Sequence, residues 1–202
     1  MKVCIINYGV GNIKSLFDNL SKISDVKVAD KPKELKKYDK FFLPGVGSYK
    51  NAMRLIKLKN WDESLNEEIK IKRKYIFGIC IGMQILTEFG NEFGETNGLN
   101  FIGGKTVGLK DIGCKLSLPH IGWNDVSISK KKILFKNIKN KEDFYFVNSY
   151  CVMVQKQIEA ATCNYGKKFT AAIEFENIFG TQFHPEKSSI TGIKILENFV
   201  NA

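Results

Sequence analysis

The chain has 202 residues, of which 44% are hydrophobic and 26% are charged. These values are close to those of globular proteins, so they exclude a disordered, collagen-like or coiled-coil chain. The longest apolar stretch, residues 75–83, is far shorter than the ~20 residues that span a bilayer, and the apolar start is too short for a secretory signal. We therefore expect one cytoplasmic domain over residues 1–202, with no membrane segment.

The charge is basic, with 31 Lys and Arg against 21 Asp and Glu. Specific nucleic-acid binding is nevertheless not expected, because the lysines are spread along the chain and only Arg54 and Arg73 can make bidentate contacts. The densest lysine run, residues 130–141, is typical of a solvated loop. A basic surface instead favours a phosphorylated substrate or an acidic partner.

Cysteine usage argues against metal and disulfide chemistry. The five cysteines form an odd set without a Cys-x-x-Cys pair, and only His120 and His184 are available as histidine ligands. We therefore expect no metal site and no disulfide framework, and the composition fits a reducing compartment.

The first half of the chain alternates between predicted strands and helices. Apolar runs predict strands at residues 2–6, 40–43 and 75–79. Glycines and residues at helical spacing follow each run and predict helices beginning near Ile13 and over residues 48–58, 61–72 and 82–89. Apolar strands separated by helices indicate a parallel sheet covered on both faces.

The second half is richer in predicted strands. They fall at residues 105–109, 114–118, 124–129, 143–147, 169–175 and 178–183. A closing helix is predicted over residues 188–200, with Ser188 or Ser189 as its cap. The predicted fold is α/β, a mixed, largely parallel open sheet flanked by helices, with a β-rich elaboration in the second half.

Two glycine loops follow predicted strands. Gly9-Val10-Gly11 lacks the third glycine of a dinucleotide fingerprint, since that position holds Lys14, so no nucleotide cofactor is expected. The loop is either a structural turn or a partner surface. Pro44-Gly45-Val46-Gly47 lies at the carboxyl edge of its strand, where it serves either as a plain turn or as a source of amide N–H groups for an oxyanion hole.

The strongest motif is Gly78-Ile79-Cys80-Ile81-Gly82, which places a cysteine between an apolar strand and a helix. Glycines two residues before and after the nucleophile are typical of a nucleophile elbow, because the sharp turn tolerates only small neighbours. The N-terminus of the following helix favours the reactive thiolate. The alternative is a buried structural cysteine in a tight joint.

A thiolate nucleophile needs a base, and His184 is the better of the two histidines. Pro185 favours an extended conformation before it, so His184 and Glu186, two residues apart, are expected to face the same site. Glu186 then fixes the tautomer of the imidazole and stabilises its charged form. His120 has no neighbouring carboxylate and is expected to be a structural or interface residue.

These motifs resemble the class I, triad-type glutamine amidotransferases. Within that class, the chain is similar to the glutaminase subunits of imidazole glycerol phosphate synthase, through motifs that begin at Asn7, Pro119, Tyr145 and Phe183 and extend to Ser188. The resemblance implies that Cys80, His184 and Glu186 hydrolyse the glutamine side-chain amide. It implies oxyanion donors from the backbone of Ile81 and of Val46 or Gly47, and glutamine-binding residues at Gln84, Glu92, Ser149 and Tyr150.

The resemblance also implies a heterodimer, without any cofactor or metal. The ammonia would pass to a HisF-like (β/α)₈-barrel cyclase subunit, which makes imidazole glycerol phosphate in histidine biosynthesis. Residues that match the family's interface positions are Asn12, Trp123, Tyr145 and Lys187.

One residue departs from the family pattern, because Asn148 stands where the family usually has His. Asparagine keeps a donor and an acceptor but carries no charge, so the triad is untouched, while either the fine placement of glutamine or the communication with the partner is affected. Three alternatives stay open at this point: a paralogous glutaminase that feeds a sugar amidotransferase in surface-carbohydrate synthesis, a cysteine peptidase, and a non-catalytic basic binding module.

Overall fold

The computed structural model describes residues 1–129 and 132–202. Thirteen strands in this part of the chain form one branched sheet. Its first part is parallel, in the order β2-β1-β3-β4-β13, and consists of β1 (Val3–Ile6), β2 (Val26–Ala29), β3 (Lys40–Gly45), β4 (Tyr75–Cys80) and β13 (Ile178–Thr181). Every residue of β1 and β3 is buried, so both faces of the sheet are covered, as apolar parallel strands require.

The helices connect and cover these strands. They are α1 (Ile13–Leu20), α2 (Tyr49–Leu58), α3 (Trp61–Leu65), α4 (Ile81–Gln84) and α5 (Ser189–Val200). A π-helical turn, Asn66–Ile71, directly continues α3. Phe199 of α5 packs its ring against Phe42 of β3 and Phe77 of β4, at centroid distances of 5.0 and 5.2 Å. The closing helix is thereby held on the centre of the parallel sheet.

The second half of the chain extends the sheet mainly by antiparallel pairing. Its strands are β5 (Phe89–Gly90), β6 (Thr96–Asn97), β7 (Lys105–Gly108), β8 (His120–Ile128), β9 (Glu142–Asn148), β10 (Tyr150–Met153), β11 (Glu159–Asn164) and β12 (Lys168–Phe175). β12 pairs with β13, β10 and β11, and β11 carries the hairpin of β8 and β9. The predicted mixed α/β sheet with a β-rich second half is confirmed.

Two predicted elements are wrong. The helix predicted over residues 82–89 ends at Gln84. The next two backbone carbonyls do not continue the helix, because they accept hydrogen bonds from residues 99–101: Leu99 N–H donates to Ile85 O at 2.8 Å, and Phe101 N–H donates to Leu86 O at 2.9 Å. The strand predicted over residues 114–118 is irregular, since its backbone joins no ladder and Cys114 N–H closes a turn onto Leu109 O. The strands β2, β5, β6, β10 and β11 were not predicted.

The described lysines of the lysine-rich segment, Lys132, Lys136, Lys139 and Lys141, are exposed in a loop of turns, as the sequence predicted. Lys130 and Lys131 lie outside the described residues. The apolar residues between the lysines anchor this loop, since Leu134 and Phe135 are fully buried. The Glu174 carboxylate accepts hydrogen bonds from the backbone of Ile133 and Leu134.

Candidate active site

The five parallel strands end at the same edge of the sheet, and Cys80 lies at this edge. Cys80 is the last residue of β4, and α4 begins at the next residue. The backbone of Cys80 has φ 55° and ψ −112°, a conformation that residues other than glycine rarely adopt. The sharp turn that the motif predicted is therefore present, and the strain is concentrated at the residue whose side chain must project from the strand end.

The elbow glycines are required by close backbone contacts. A Cβ added to Gly82 would lie 1.7 Å from the carbonyl oxygen of Leu43, and one added to Gly78 would lie 2.6 Å from the backbone of Gly82. A Cβ on Gly45 would lie 2.8 Å from the backbone N of Gly82. The ends of β3 and β4 thus approach so closely that no larger residue fits at these three positions.

His184 and Glu186 form a buried pair. Nδ1 of His184 lies 2.9 Å from Oε1 of Glu186, and the two side chains are 5% and 3% exposed. The contact was predicted, but the reason was wrong: residues Pro185–Lys187 form a 3₁₀ turn rather than an extended segment, and only His184 itself is extended. The turn brings the carboxylate back towards the imidazole, and α1 supports it because Asn19 Nδ2 donates to Glu186 O at 3.1 Å.

The protonation of His184 is governed by its two neighbours. Burial by itself lowers the pKa of His184, but hydrogen bonding to Cys80 and to Glu186, with their negative charges, outweighs burial and raises the pKa to about 10. The imidazolium is therefore the favoured form beside the sulfur.

A cavity of about 280 Å³ opens over Cys80 and His184. It brings together every residue that the resemblance implied for the oxyanion hole and for glutamine binding: Val46, Gly47, Ile81, Gln84, Glu92, Ser149 and Tyr150. Ile81 is the first residue of α4, so the helix does not use its N–H internally. Pro119, Val147, Asn148 and Lys187 complete the lining.

Hydrogen bonds to other parts of the fold hold two side chains of the cavity, Glu92 and Gln84, in place. Glu92 accepts a hydrogen bond from the backbone N–H of Tyr49 at 2.7 Å, while burial raises the pKa of Glu92 above its ordinary value. Gln84 donates from Nε2 to the carbonyl of Tyr150 at 3.2 Å and to Oε1 of Gln182 at 2.9 Å. Its own Oε1 is buried without a protein partner. Glu92 therefore provides a carboxylate in the cavity wall, which can accept a hydrogen bond from the amino group of an amino acid.

Three of the four expected interface residues lie side by side. The Lys187 ammonium lies 5.8 Å from the ring centroid of Tyr145, whose ring contacts that of Trp123 at 6.1 Å. Trp123 is 53% exposed, on a strand that leads to the cavity rim. Asn12 lies directly before α1, and its side chain makes no capping bond. Its loop packs on the Pro44 loop, since a Cβ on Gly11 would lie 3.1 Å from Pro44.

His120 lies outside the cavity and inside the β-rich half. Its ring stacks on Tyr165 at 4.0 Å and on Phe146 at 4.9 Å, and burial lowers its pKa. An aromatic stack and a neutral imidazole are consistent with a structural histidine, as expected from the absence of a carboxylate neighbour.

The sequence did not single out Gln182 or Val147, although both contact the nucleophile. Gln182 is fully buried, and its Nε2 lies 3.6 Å from Cys80 Sγ. The Val147 carbonyl lies 3.8 Å from the same sulfur. A glutamine inside an apolar run that precedes His184 was a usable signal, whereas the contact of a backbone carbonyl has no signature in the sequence.

Comparison with known proteins decides the family. Residues 4–202 match the family described as glutamine amidotransferase class-I. The chain belongs to this family. It is 43% identical to imidazole glycerol phosphate synthase subunit HisH 1 of Campylobacter jejuni strain RM1221, over 98% of both chains. It is also 40% identical to the HisH subunit of Pelagibacter ubique, over the full length of both. The chain is thus a HisH-type glutamine amidotransferase.

Solved structures agree on the fold. A glutamine amidotransferase from Thermotoga maritima superposes with a TM-score of 0.66 at 19% identity, covering 100% of this chain and 83% of that one. Another structure described as a glutamine amidotransferase gives 0.76 at 14% identity, covering 98% and 97%. Among the helices of residues 1–129 and 132–202, none has the length and apolar composition that crossing a bilayer requires.

Proposed function

We propose that this chain hydrolyses glutamine to glutamate and ammonia through Cys80, His184 and Glu186, and that the ammonia feeds the synthesis of imidazole glycerol phosphate in histidine biosynthesis. The observation that carries the proposal is the strained Cys80 elbow facing the buried His184–Glu186 pair across one cavity. Full-length HisH relatives support this pathway, and no finding favours the surface-carbohydrate alternative. Retention of all three groups speaks against a binding module that has lost its chemistry.

The first half of the reaction forms a thioester. The Cys80 thiolate attacks the side-chain carbonyl carbon of glutamine, and the carbonyl oxygen becomes an oxyanion that accepts from the N–H of Ile81 and from one of Val46 or Gly47. The carbon–nitrogen bond then breaks, and the His184 imidazolium gives its proton to the leaving amine, which departs as ammonia. Glu186 holds the imidazole by Nδ1 and leaves Nε2 free for this transfer.

The second half releases glutamate. Neutral His184 takes a proton from a water molecule, which attacks the thioester carbon and forms a second oxyanion in the same hole. Collapse of that intermediate breaks the carbon–sulfur bond, and Cys80 returns as a thiolate beside the imidazolium. Gln84, Glu92, Ser149 and Tyr150 hold the amino acid during both halves, since they line the cavity around the reacting atoms.

The ammonia acceptor is a partner protein: a HisF-like (β/α)₈-barrel cyclase that forms a heterodimer with this chain. The surface for it is the group of Trp123, Tyr145 and Lys187, next to the cavity rim, together with Asn12. A net charge of +10 favours a partner with an acidic face. Docking beside the rim lets ammonia leave the cavity directly into the partner.

One set of assays tests these assignments. Glutamate release is measured for the chain alone and with a barrel cyclase and its nucleotide ligand. We expect the partner to raise the rate, Cys80→Ala to abolish it, and diazo-oxo-norleucine to label Cys80 alone. Cys151→Ala is the matched control, because this cysteine is buried in β10 away from the cavity.

The same assays separate the partner surface from the chemistry. Trp123→Ala removes an exposed ring, so it should keep the rate of the lone chain and lose the stimulation by the partner. Normal turnover by Cys80→Ala would end the mechanism. Stimulation that survives intact in Trp123→Ala would remove this residue from the interface.

A further inference from the structure

The nucleophile has a second polar neighbour besides His184, which the triad mechanism does not use. Gln182 lies just beyond β13, two residues before the catalytic histidine, and its side chain is fully buried. Its Nε2 lies 3.6 Å from Cys80 Sγ, within hydrogen-bonding range of a sulfur atom. Whether Gln182 donates to the sulfur depends on the orientation of its side-chain amide.

The orientation of the Gln182 amide is determined by a chain of hydrogen bonds. The Tyr150 carbonyl can only accept, so the Gln84 amide must turn its NH₂ group towards it, at 3.2 Å. The same NH₂ group donates to the oxygen of Gln182 at 2.9 Å. With its oxygen occupied in this way, Gln182 presents its own N–H groups to Cys80. A flipped Gln182 amide would place two donors face to face.

A donor aimed at this sulfur stabilises the thiolate more than the thiol. The thiol can place its own hydrogen on the Val147 carbonyl, 3.8 Å away, whereas the thiolate carries a full negative charge and only accepts. Hydrogen bonds to an ionised acceptor are roughly twice as strong as those between neutral groups. The Gln182 side chain is fully buried, so water does not compete for its N–H groups.

We propose that Gln182 stabilises the Cys80 thiolate by donating a hydrogen bond to Sγ, and that Gln84 orients the Gln182 amide for this donation. The proposal rests on the proposed function in taking Cys80 as the nucleophile. It adds a third protein group to the sulfur, independent of the imidazolium that donates the proton.

The test is the pH dependence of Cys80 alkylation by iodoacetamide, with the modified cysteine identified by peptide mass. Gln182→Met keeps the length of the side chain but removes its N–H groups. We expect the midpoint of the pH–rate profile to move up by about one unit, and the rate below the midpoint to fall about tenfold. Above the midpoint the rates of wild type and variant should converge, which a general loss of structure would not produce.

Other titratable groups near the sulfur and the cavity are retained in this comparison. They are His184 with Glu186 behind it, Tyr8, whose pKa burial raises, and Glu92 and Lys187 on the cavity wall. A difference between wild type and Gln182→Met therefore reports the lost donor.

A second buried amide provides the matched control. Asn177, directly before β13, donates only to the backbone carbonyls of Ile69 and Lys74, so Asn177→Ala should lower the melting temperature and leave the midpoint unchanged. If Gln182→Met does not fold, Gln182→Glu has the same shape and places a carboxylate beside the sulfur, which should raise the midpoint further.

Two results would overturn the proposal. One is an unchanged midpoint in a folded Gln182 variant whose Cys80 is still labelled. The other is an equal shift in Asn177→Ala. Both are distinct from failure of the proposed function, which would appear as glutamine turnover without Cys80.

Discussion

Replacing Glu186 by Gln tests the triad without changing its shape. The carboxylate accepts from Nδ1 of His184 at 2.9 Å in a site where both side chains are nearly fully buried. A hydrogen bond to a charged group contributes about 1.5–3 kcal/mol, which corresponds to a loss in kcat of about 10- to 160-fold. His184→Ala removes the proton carrier itself and should cost on the order of 10⁴-fold or more.

The pH dependence gives a second, independent readout of the same pair. Glu186 contributes to raising the pKa of His184 to about 10, so its neutral replacement lowers that pKa. Because the leaving amine needs the imidazolium proton, the alkaline limb of the kcat profile should shift to lower pH in Glu186→Gln. Glu197→Gln is the control, since this carboxylate pairs with Lys194 on α5.

Steady-state glutamate release across pH, with the partner present, measures both effects. An unchanged kcat and an unchanged alkaline limb in Glu186→Gln would refute the assigned role. Activity as low as that of His184→Ala would show that Glu186 does more than orient and stabilise the imidazolium.

Two further predictions concern stability. Gly82→Ala places a Cβ 1.7 Å from Leu43 O and should lower the free energy of unfolding by more than ~4 kcal/mol, measured by heat or urea. The Cβ of Gly47→Ala meets nothing within 4 Å, so this control should lose only about 1–2 kcal/mol because of its φ of +90°. Equal losses in the two variants would contradict the contact with Leu43. Burial lowers the pKa of His120 in the folded protein. Below about pH 6.5 the unfolded chain therefore binds more protons than the folded chain, and the free energy of unfolding decreases as the pH is lowered. His120→Gln should flatten that fall, measured as the free energy of unfolding between pH 5 and 7; an unchanged slope would contradict a neutral buried imidazole.

The parallel half of the fold could be predicted because its signals are local. Continuous apolar runs mark strands buried on both faces, and the glycines around Cys80 are required by contacts within a few residues of the turn. The strand β2 was missed because half of its residues are not buried, so its sequence lacks an apolar run. The helix after Cys80 was predicted too long because its end is decided by a segment more than ten residues away.

The cavity shows where local reasoning ends. Its triad residues carry sequence signatures, yet the His184–Glu186 contact arises from a 3₁₀ turn that no spacing rule indicated. The residues opposite them, from Val147 to Tyr150, lie where β9 meets β10, and they reach the site through the pairing of β9 with β8 and of β10 with β7 and β12. Such non-local contacts are set by the whole sheet, so the Val147 carbonyl could not be recognised as a neighbour of Cys80 from the sequence.

Asn148, the departure from the family pattern, lies in this non-local wall. Its Nδ2 donates to the Tyr150 carbonyl at 3.0 Å, the same oxygen that holds Gln84, and its Oδ1 is buried without a protein partner. Two carboxamides thus share one acceptor in the wall of a cavity that is also lined by Glu92. A protonated histidine at this position would add a positive charge to this wall, which asparagine cannot carry. The substitution therefore leaves the reacting groups alone and changes the charge that the wall beside Glu92 can carry.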